Sequence, residues 1–237
     1  MPAVFHSIAP VGNAFNLKGL ARVTRSDCIL ANVHAASPGS ADSETTGDPI
    51  ATATLTFMHN GSVGGFPRIK RALLASLSDD AFGQIEGSSD SEHVFAVFLD
   101  EYRAAPDQSP EERLAAAMTR TIQRVVELTS RACIDEPSYL NLTVSDGYRA
   151  VVSRFATGGQ TLAPPLYLHF GRRIFCAGRR CASFSPDDAG GAILISSEPL
   201  DDRPRCLAVP NNSIVVLGGD CTAEVRPCPE ARPFCAG

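Results

Sequence analysis

The sequence predicts a layered α/β or α+β sandwich built as a single domain, and three observations carry that prediction. Short apolar segments with strand-like alternation come first, three amphipathic helical stretches follow, and a second run of short strands comes after them. The 237 residues are enough for one sizeable core. Apolar residues make up 44% and charged residues 20%, with mean hydropathy near zero, the balance of an ordinary water-soluble globular chain.

The elements follow in order. Cys28-Ile-Leu-Ala-Asn-Val-His34 reads as a buried strand. Ser37 to Pro49 is rich in Ser, Gly, Asp and Pro and reads as a loop of functional size. Ala51 to His59 reads as a second strand, with Leu55, Phe57 and His59 alternating against Thr54, Thr56 and Met58. Phe66, Ile69, Leu73 and Leu77 then recur at spacings of three and four, one face of a helix. Ser89-x-x-Glu92 has capping-box spacing and opens a helix that turns Phe95, Phe98, Leu99 and Tyr102 inward. Ser109-Pro-Glu-Glu112 repeats the start signal with proline at the first helical position. That helix runs to about Arg131, with Leu114, Met118, Ile122, Val125 and Val126 as its buried stripe. Beyond Ser138 the strands are Tyr139–Val144, Ala150–Phe155, Leu166–Phe170, Ala192–Ser196 and Ser213–Leu217. We therefore expect a domain over 1–219 and an irregular Cys- and Pro-rich tail over 220–237.

Charge and composition exclude several classes of function. A net charge of −5 and a pI near 5.5 argue against nucleic-acid binding. No apolar run approaches the roughly 20 residues that cross a bilayer, and Met1-Pro-Ala-Val-Phe-His6 lacks the form of a secretory signal. The expectation is a cytoplasmic protein without a membrane association. The eight cysteines contain no Cys-x-x-Cys pair, so scattered reduced thiols are expected rather than a zinc site or a disulfide framework. No metal or other cofactor is expected.

Two segments carry chemistry. Phe57-Met-His-Asn60-Gly61 places an Asn-Gly pair ahead of Gly64-Gly65-Phe66, which leads into a helix and not into a second strand. A turn there would present the Asn60 side-chain amide and the Gly61 N–H as two convergent donors, the requirement for holding a tetrahedral oxyanion. Gly87-Ser-Ser-Asp90-Ser-Glu92 places Asp90 in the first turn of a helix, where the macrodipole keeps a carboxylate ionised and able to receive an ammonium group. His59 reads as a loop-orienting hydrogen-bonder more readily than as a general base.

In this order and separation the two segments resemble the class II glutamine amidotransferases, which are N-terminal-nucleophile hydrolases, and most closely the branch of the fungal Dug-type subunit of glutathione degradation. The resemblance extends over about residues 2–217, through Phe15-Asn-Leu-Lys-Gly-Leu-Ala21, Ala35-Ala-Ser-Pro-Gly39, Phe57 to Phe66, Gly87 to His93, Leu140 to Gly147 and Ser196-Ser-Glu-Pro-Leu200. It implies an αββα sandwich. It also implies hydrolysis of the side-chain amide of glutamine or a γ-glutamyl compound by an N-terminal cysteine whose own α-amine is the base. The implied oxyanion pair falls on Asn60 and Gly61, and the α-amino-binding aspartate on Asp90; His34, Ser37 and His59 complete the candidate substrate-binding set. A metallopeptidase-like partner subunit is implied as well.

Departures from the family pattern matter as much. The family's initiator methionine is followed by the cysteine and several strands, whereas this chain opens at the family's Pro-x-Val-Phe, so the nucleophile and first strands are expected to be missing. The family's His-x-Arg is here Asn32-Val33-His34, and histidine cannot reproduce arginine's bidentate grip on a carboxylate. The Cys-His-Pro-Phe loop reads Gly47-Asp48-Pro49-Ile50. A relative that binds without turning over is therefore the alternative to an active amidohydrolase.

Overall fold

The computed structural model describes residues 2–7, 15–33, 47–159, 161–171, 173–177, 180–184, 191–200 and 206–228. Its elements in chain order are α1 (Phe15–Val23), β1 (Ile50–Ala51), β2 (Thr56–Ser62), α2 (Phe66–Ala75), α3 (Asp79–Phe82), α4 (Asp90–Arg103), α5 (Pro110–Arg131), β3 (Tyr139–Ser145) and β4 (Ala150–Arg154). They continue with β5 (Tyr167–Gly171), β6 (Arg173–Ala177), β7 (Arg180–Phe184), β8 (Ala192–Ser196), β9 (Cys206–Ala208), β10 (Ser213–Leu217) and β11 (Ala223–Pro227).

Six strands in the order β1-β2-β3-β4-β10-β11 form sheet A, and three in the order β8-β5-β9 form sheet B, with β6 and β7 a separate hairpin. Every pairing in the two sheets is antiparallel. Alternation decides what each face of sheet A meets. Leu140, Leu142 and Val144 of β3, Val151 of β4 and Val216 of β10 join the large core under α4 and α5. Val152 and Val215, one residue out of phase, pack with Leu168 of β5 and with Ile193 and Ile195 of β8. The described residues thus stack a helical layer, sheet A and sheet B, as the sandwich class requires.

The helices form where their start signals lie. In α4 the Ser89 Oγ accepts the Glu92 N–H at 3.3 Å while the Glu92 carboxylate accepts the Ser89 N–H at 3.3 Å, a closed capping box. Ser109 caps α5 by accepting the Glu112 N–H, and Leu114, Met118, Ile122, Val125 and Val126 are all buried. Phe95 of α4 stacks on Phe57 of β2 with ring centroids 4.8 Å apart, which ties the helical layer to the sheet. Arg124 of α5 reaches Asp100 and Glu101 of α4 at 3.4 and 3.1 Å, holding the two long helices side by side.

Three expectations are corrected. Residues 28–33 form no strand: Ile29 is 74% exposed and Val33 72%, and the segment has no ladder among the described residues despite its apolar composition. A strand needs a neighbour to pair with, and composition cannot supply one. Ala51–His59 is not one strand but two, because Thr52 closes a tight turn by exchanging hydrogen bonds with Leu55. The tail is not wholly irregular, since Ala223–Pro227 pairs with β10 along its length as an edge strand. Two short helices, α1 and α3, go beyond the sequence reading. The second is capped by Ser78, whose Oγ accepts the Ala81 N–H at 3.2 Å.

Candidate functional site

The end of β2 is the centre of the candidate site, and its geometry departs from the expected turn. Asn60 and Gly61 stay within the strand, with Asn60 opposite Asn141 and Gly61 opposite Leu140 of β3. The chain turns only afterwards, where the Phe66 N–H reaches the Val63 carbonyl at 3.2 Å. Gly61 is required at its position. Its φ of 156° and its closeness to the neighbouring strand leave no room, for a Cβ would stand 2.0 Å from the Tyr139 carbonyl oxygen.

Strand alternation sends consecutive residues here to opposite faces. His59 follows Phe57 toward the helices and is buried at 2% exposure. Its Nε2 lies 2.9 Å from the Tyr139 carbonyl, which can only accept, so Nε2 carries the proton. Nδ1 then faces the Ser91 hydroxyl at 3.2 Å. Both ring nitrogens are thus engaged inside the protein, between β3 and α4. Asn60 points the other way and is exposed.

Asp90 is the second anchor. It opens α4, and its Oδ2 accepts the Val63 N–H at 2.8 Å while Oδ1 accepts the Ser91 N–H at 2.9 Å. The carboxylate therefore straps the start of α4 to the chain just past Gly61. Around it, Glu92 is buried and accepts the Gly87 N–H at 2.7 Å and the Ser89 hydroxyl at 3.0 Å. His93 is buried, donates from Nδ1 to the Ser89 carbonyl at 2.7 Å, and meets the Phe66 ring edge-on. Burial pushes its pKa below the usual histidine value, so the ring is held neutral.

Asp48 is the third contributor. Its Oδ2 accepts the His59 N–H at 2.9 Å and the Asn32 amide at 3.2 Å, which links the loop before β1 to β2. His59, Asn60, Gly61 and Asp90 are thus brought together, with Asp48 buttressing them. His34 and Ser37 lie outside the described residues.

Ser91 and Asn141 are residues that sequence reasoning missed. Ser91 lies inside the capping box, between Ser89 and Glu92, at a position that the motif leaves unspecified. Asn141 faces the same side of sheet A as Asn60 and donates from Nδ2 to the Pro164 carbonyl at 2.9 Å. Its Oδ1 is buried without a hydrogen-bond partner, alone in that respect among the described residues. Its register opposite Asn60 is a long-range fact, which an isolated Asn in an apolar strand does not announce. Chemically, the strand end offers a solvent-facing carboxamide, a glycine pressed against β3 and an anchored carboxylate. Among the described residues no cluster of three metal-binding side chains occurs, and no helix is long and apolar enough to cross a membrane.

No protein-family model matches the chain. It is 36% identical to the probable glutamine amidotransferase DUG3 of Saccharomyces cerevisiae, an alignment covering 91% of this chain and 64% of that protein. The chain thus spans less than two thirds of the length of that curated relative. Among solved structures it is similar to a glutamine aminotransferase class-II domain protein from Silicibacter pomeroyi. That match has 25% identity and a TM-score of 0.71, and it covers 98% of this chain and 87% of the other.

Proposed function

Because this chain belongs to the class II glutamine amidotransferases, we propose that the end of β2 and the start of α4 bind the side-chain amide of glutamine or of a γ-glutamyl compound. In this reading the Asn60 amide and the Gly61 N–H hold the amide oxygen and the negative charge that develops on it during attack. Asp90 holds the substrate's ammonium group, with His34 and Ser37 completing the substrate contacts. The anchoring of His59 between Ser91 and Tyr139 makes its part that of a residue holding Asn60 in place. Hydrolysis in this reading uses a cysteine thiolate, which attacks the amide carbon and releases ammonia to leave a covalent thioester that water then cleaves.

The single observation that carries this reading is the strap from Asp90 to the Val63 N–H, which holds a carboxylate from the start of α4 against the backbone three residues past Asn60. His34, where the family has arginine, favours a second reading: a relative that binds or scaffolds without turnover. Calorimetric titration of the purified chain with L-glutamine, beside a glutaminase assay, tests both. Binding that Asn60→Ala and Asp90→Asn each weaken about ten-fold supports the site. Ammonia release that Asn60→Ala abolishes would overturn the non-catalytic reading, and absence of glutamine binding would overturn the site itself. A metallopeptidase-like partner subunit belongs to the same proposal, and its test is co-purification of the two chains.

A further inference from the structure

Among the described residues one buried side-chain polar atom lacks a hydrogen bond, Oδ1 of Asn141, and its residue stands beside the proposed oxyanion donor. Asn141 is 4% exposed and lies directly opposite Asn60 in the β2–β3 ladder. Both side chains leave the same face of sheet A, where opposite Cβ atoms are about 4.5–5.5 Å apart. Burying an acceptor unpaired is costly, so such an atom needs a donor to explain it.

The orientation of this carboxamide is fixed from one side. Asn141 Nδ2 donates to the Pro164 carbonyl at 2.9 Å, and a carbonyl only accepts, so the oxygen is the end left over. The Pro164 carbonyl is held in turn by Arg154 of β4, whose Nε donates to it at 3.2 Å while the rest of the guanidinium reaches the Ala163 and Val209 carbonyls. Strands β4 and β2 flank β3 on opposite sides. The nitrogen and oxygen of one carboxamide diverge, so a nitrogen turned toward Arg154 leaves the oxygen on the side of β2 and Asn60.

Asn60 is the complementary case. Burial of His59 fixes the backbone on which Asn60 stands, yet the Asn60 carboxamide is exposed and bonds to no other described residue. Such a side chain can present either its nitrogen or its oxygen to a ligand, and only the nitrogen stabilises a developing oxyanion. We infer that Asn141 is a positioning residue that selects the nitrogen, an inference that rests on the amide site proposed above. One Nδ2 hydrogen of Asn60 goes to Asn141 Oδ1, and the other goes to the oxygen of the substrate amide. Rotation of the exposed Asn60 side chain is all that the bond requires. The opposite orientation of Asn60 sets two oxygens against each other, because Asn141 Oδ1 can only accept.

The test is calorimetric titration of the whole chain with L-glutamine in a double-mutant cycle. Asn141→Leu removes the acceptor at similar volume and is expected to weaken glutamine binding about five-fold, the worth of one hydrogen bond. In an Asn60→Ala background the same substitution is expected to have no further effect. Equal losses in the two backgrounds would show that Asn141 acts without Asn60 and overturn the inference, as would undiminished binding in Asn141→Leu. A crystal structure of the unsubstituted chain with glutamine decides the matter without any variant. Asn60 Nδ2 is expected within about 3.2 Å of Asn141 Oδ1, and an Asn60 amide turned away from Asn141 overturns the inference. No glutamine binding by the unsubstituted chain would instead overturn the amide site, and this inference with it.

Discussion

The two faces of sheet A are packed on different scales. On the helical face, strands β2, β3, β4 and β10 meet α2, α4 and α5 in a continuous core that includes Phe57, Phe98, Leu114, Met118 and Phe155, all with no exposed surface. On the face toward sheet B the buried cluster among the described residues is five: Val152, Leu166, Leu168, Val209 and Val215. The site sits where this asymmetry matters. His59 belongs to the dense face and is locked from both sides, while its neighbour Asn60 belongs to the other face and is exposed. The lesson is that one rigid strand can hold a polar side chain in place by burying the residue next to it.

Truncation should expose the asymmetry most strongly. Phe98→Ala is expected to cost about 3–5 kcal/mol and Leu168→Ala about 2–3 kcal/mol in chemical denaturation. Equal losses would show that the smaller cluster is as tightly packed as the larger. The next effect comes from Cys228, which joins the helical-face core. Its folded pKa of about 11 lies above its usual value of 9, so the folded state favours the protonated thiol. That stability is fully present below pH 9 and is lost as pH rises from about 9 to 11. The loss is expected to be about 3 kcal/mol at most. The part of the alkaline decline in Tm over this window that is due to Cys228 should vanish in Cys228→Ala.

At the site itself the two faces predict opposite phenotypes. His59→Leu removes the buried imidazole that donates to the Tyr139 carbonyl and is expected to cost about 1–3 kcal/mol of stability. Asn60→Ala is expected to change stability by less than about 0.5 kcal/mol and to act on ligand binding alone. A destabilised Asn60→Ala protein would show that the exposed amide has a structural duty. Ser89→Ala, which opens the capping box that positions Asp90, is expected to cost about 1 kcal/mol by thermal melting, between those two.

Much of the helical layer was legible because its signals are local. Ser89, Ser109 and Pro110 mark starts within one turn, and the stripe from Leu114 to Val126 repeats over more than three turns, long enough for its period to be unmistakable. The candidate site was legible only in part. Asn60, Gly61 and Asp90 stood out by residue type and spacing, yet the Asn-Gly pair read as a turn because turn propensity is local and the β3 ladder that overrides it lies some 80 residues away in sequence, as the Asn60–Asn141 register shows. Cys28 to Val33 failed for the converse reason, since apolar composition resembles a strand whether or not a partner exists.

By itself, then, the sequence determined the succession of strands and helices, their caps, and the residue types available to bind an amide, because each depends on neighbours within a few positions. The tertiary structure alone decided that His59 faces inward and Asn60 outward, that Asp90 grips Val63, and that Asn141 and Asp48 stand beside them. Those facts rest on register between distant strands and on hydrogen bonds across the layers, which no short window of residues contains.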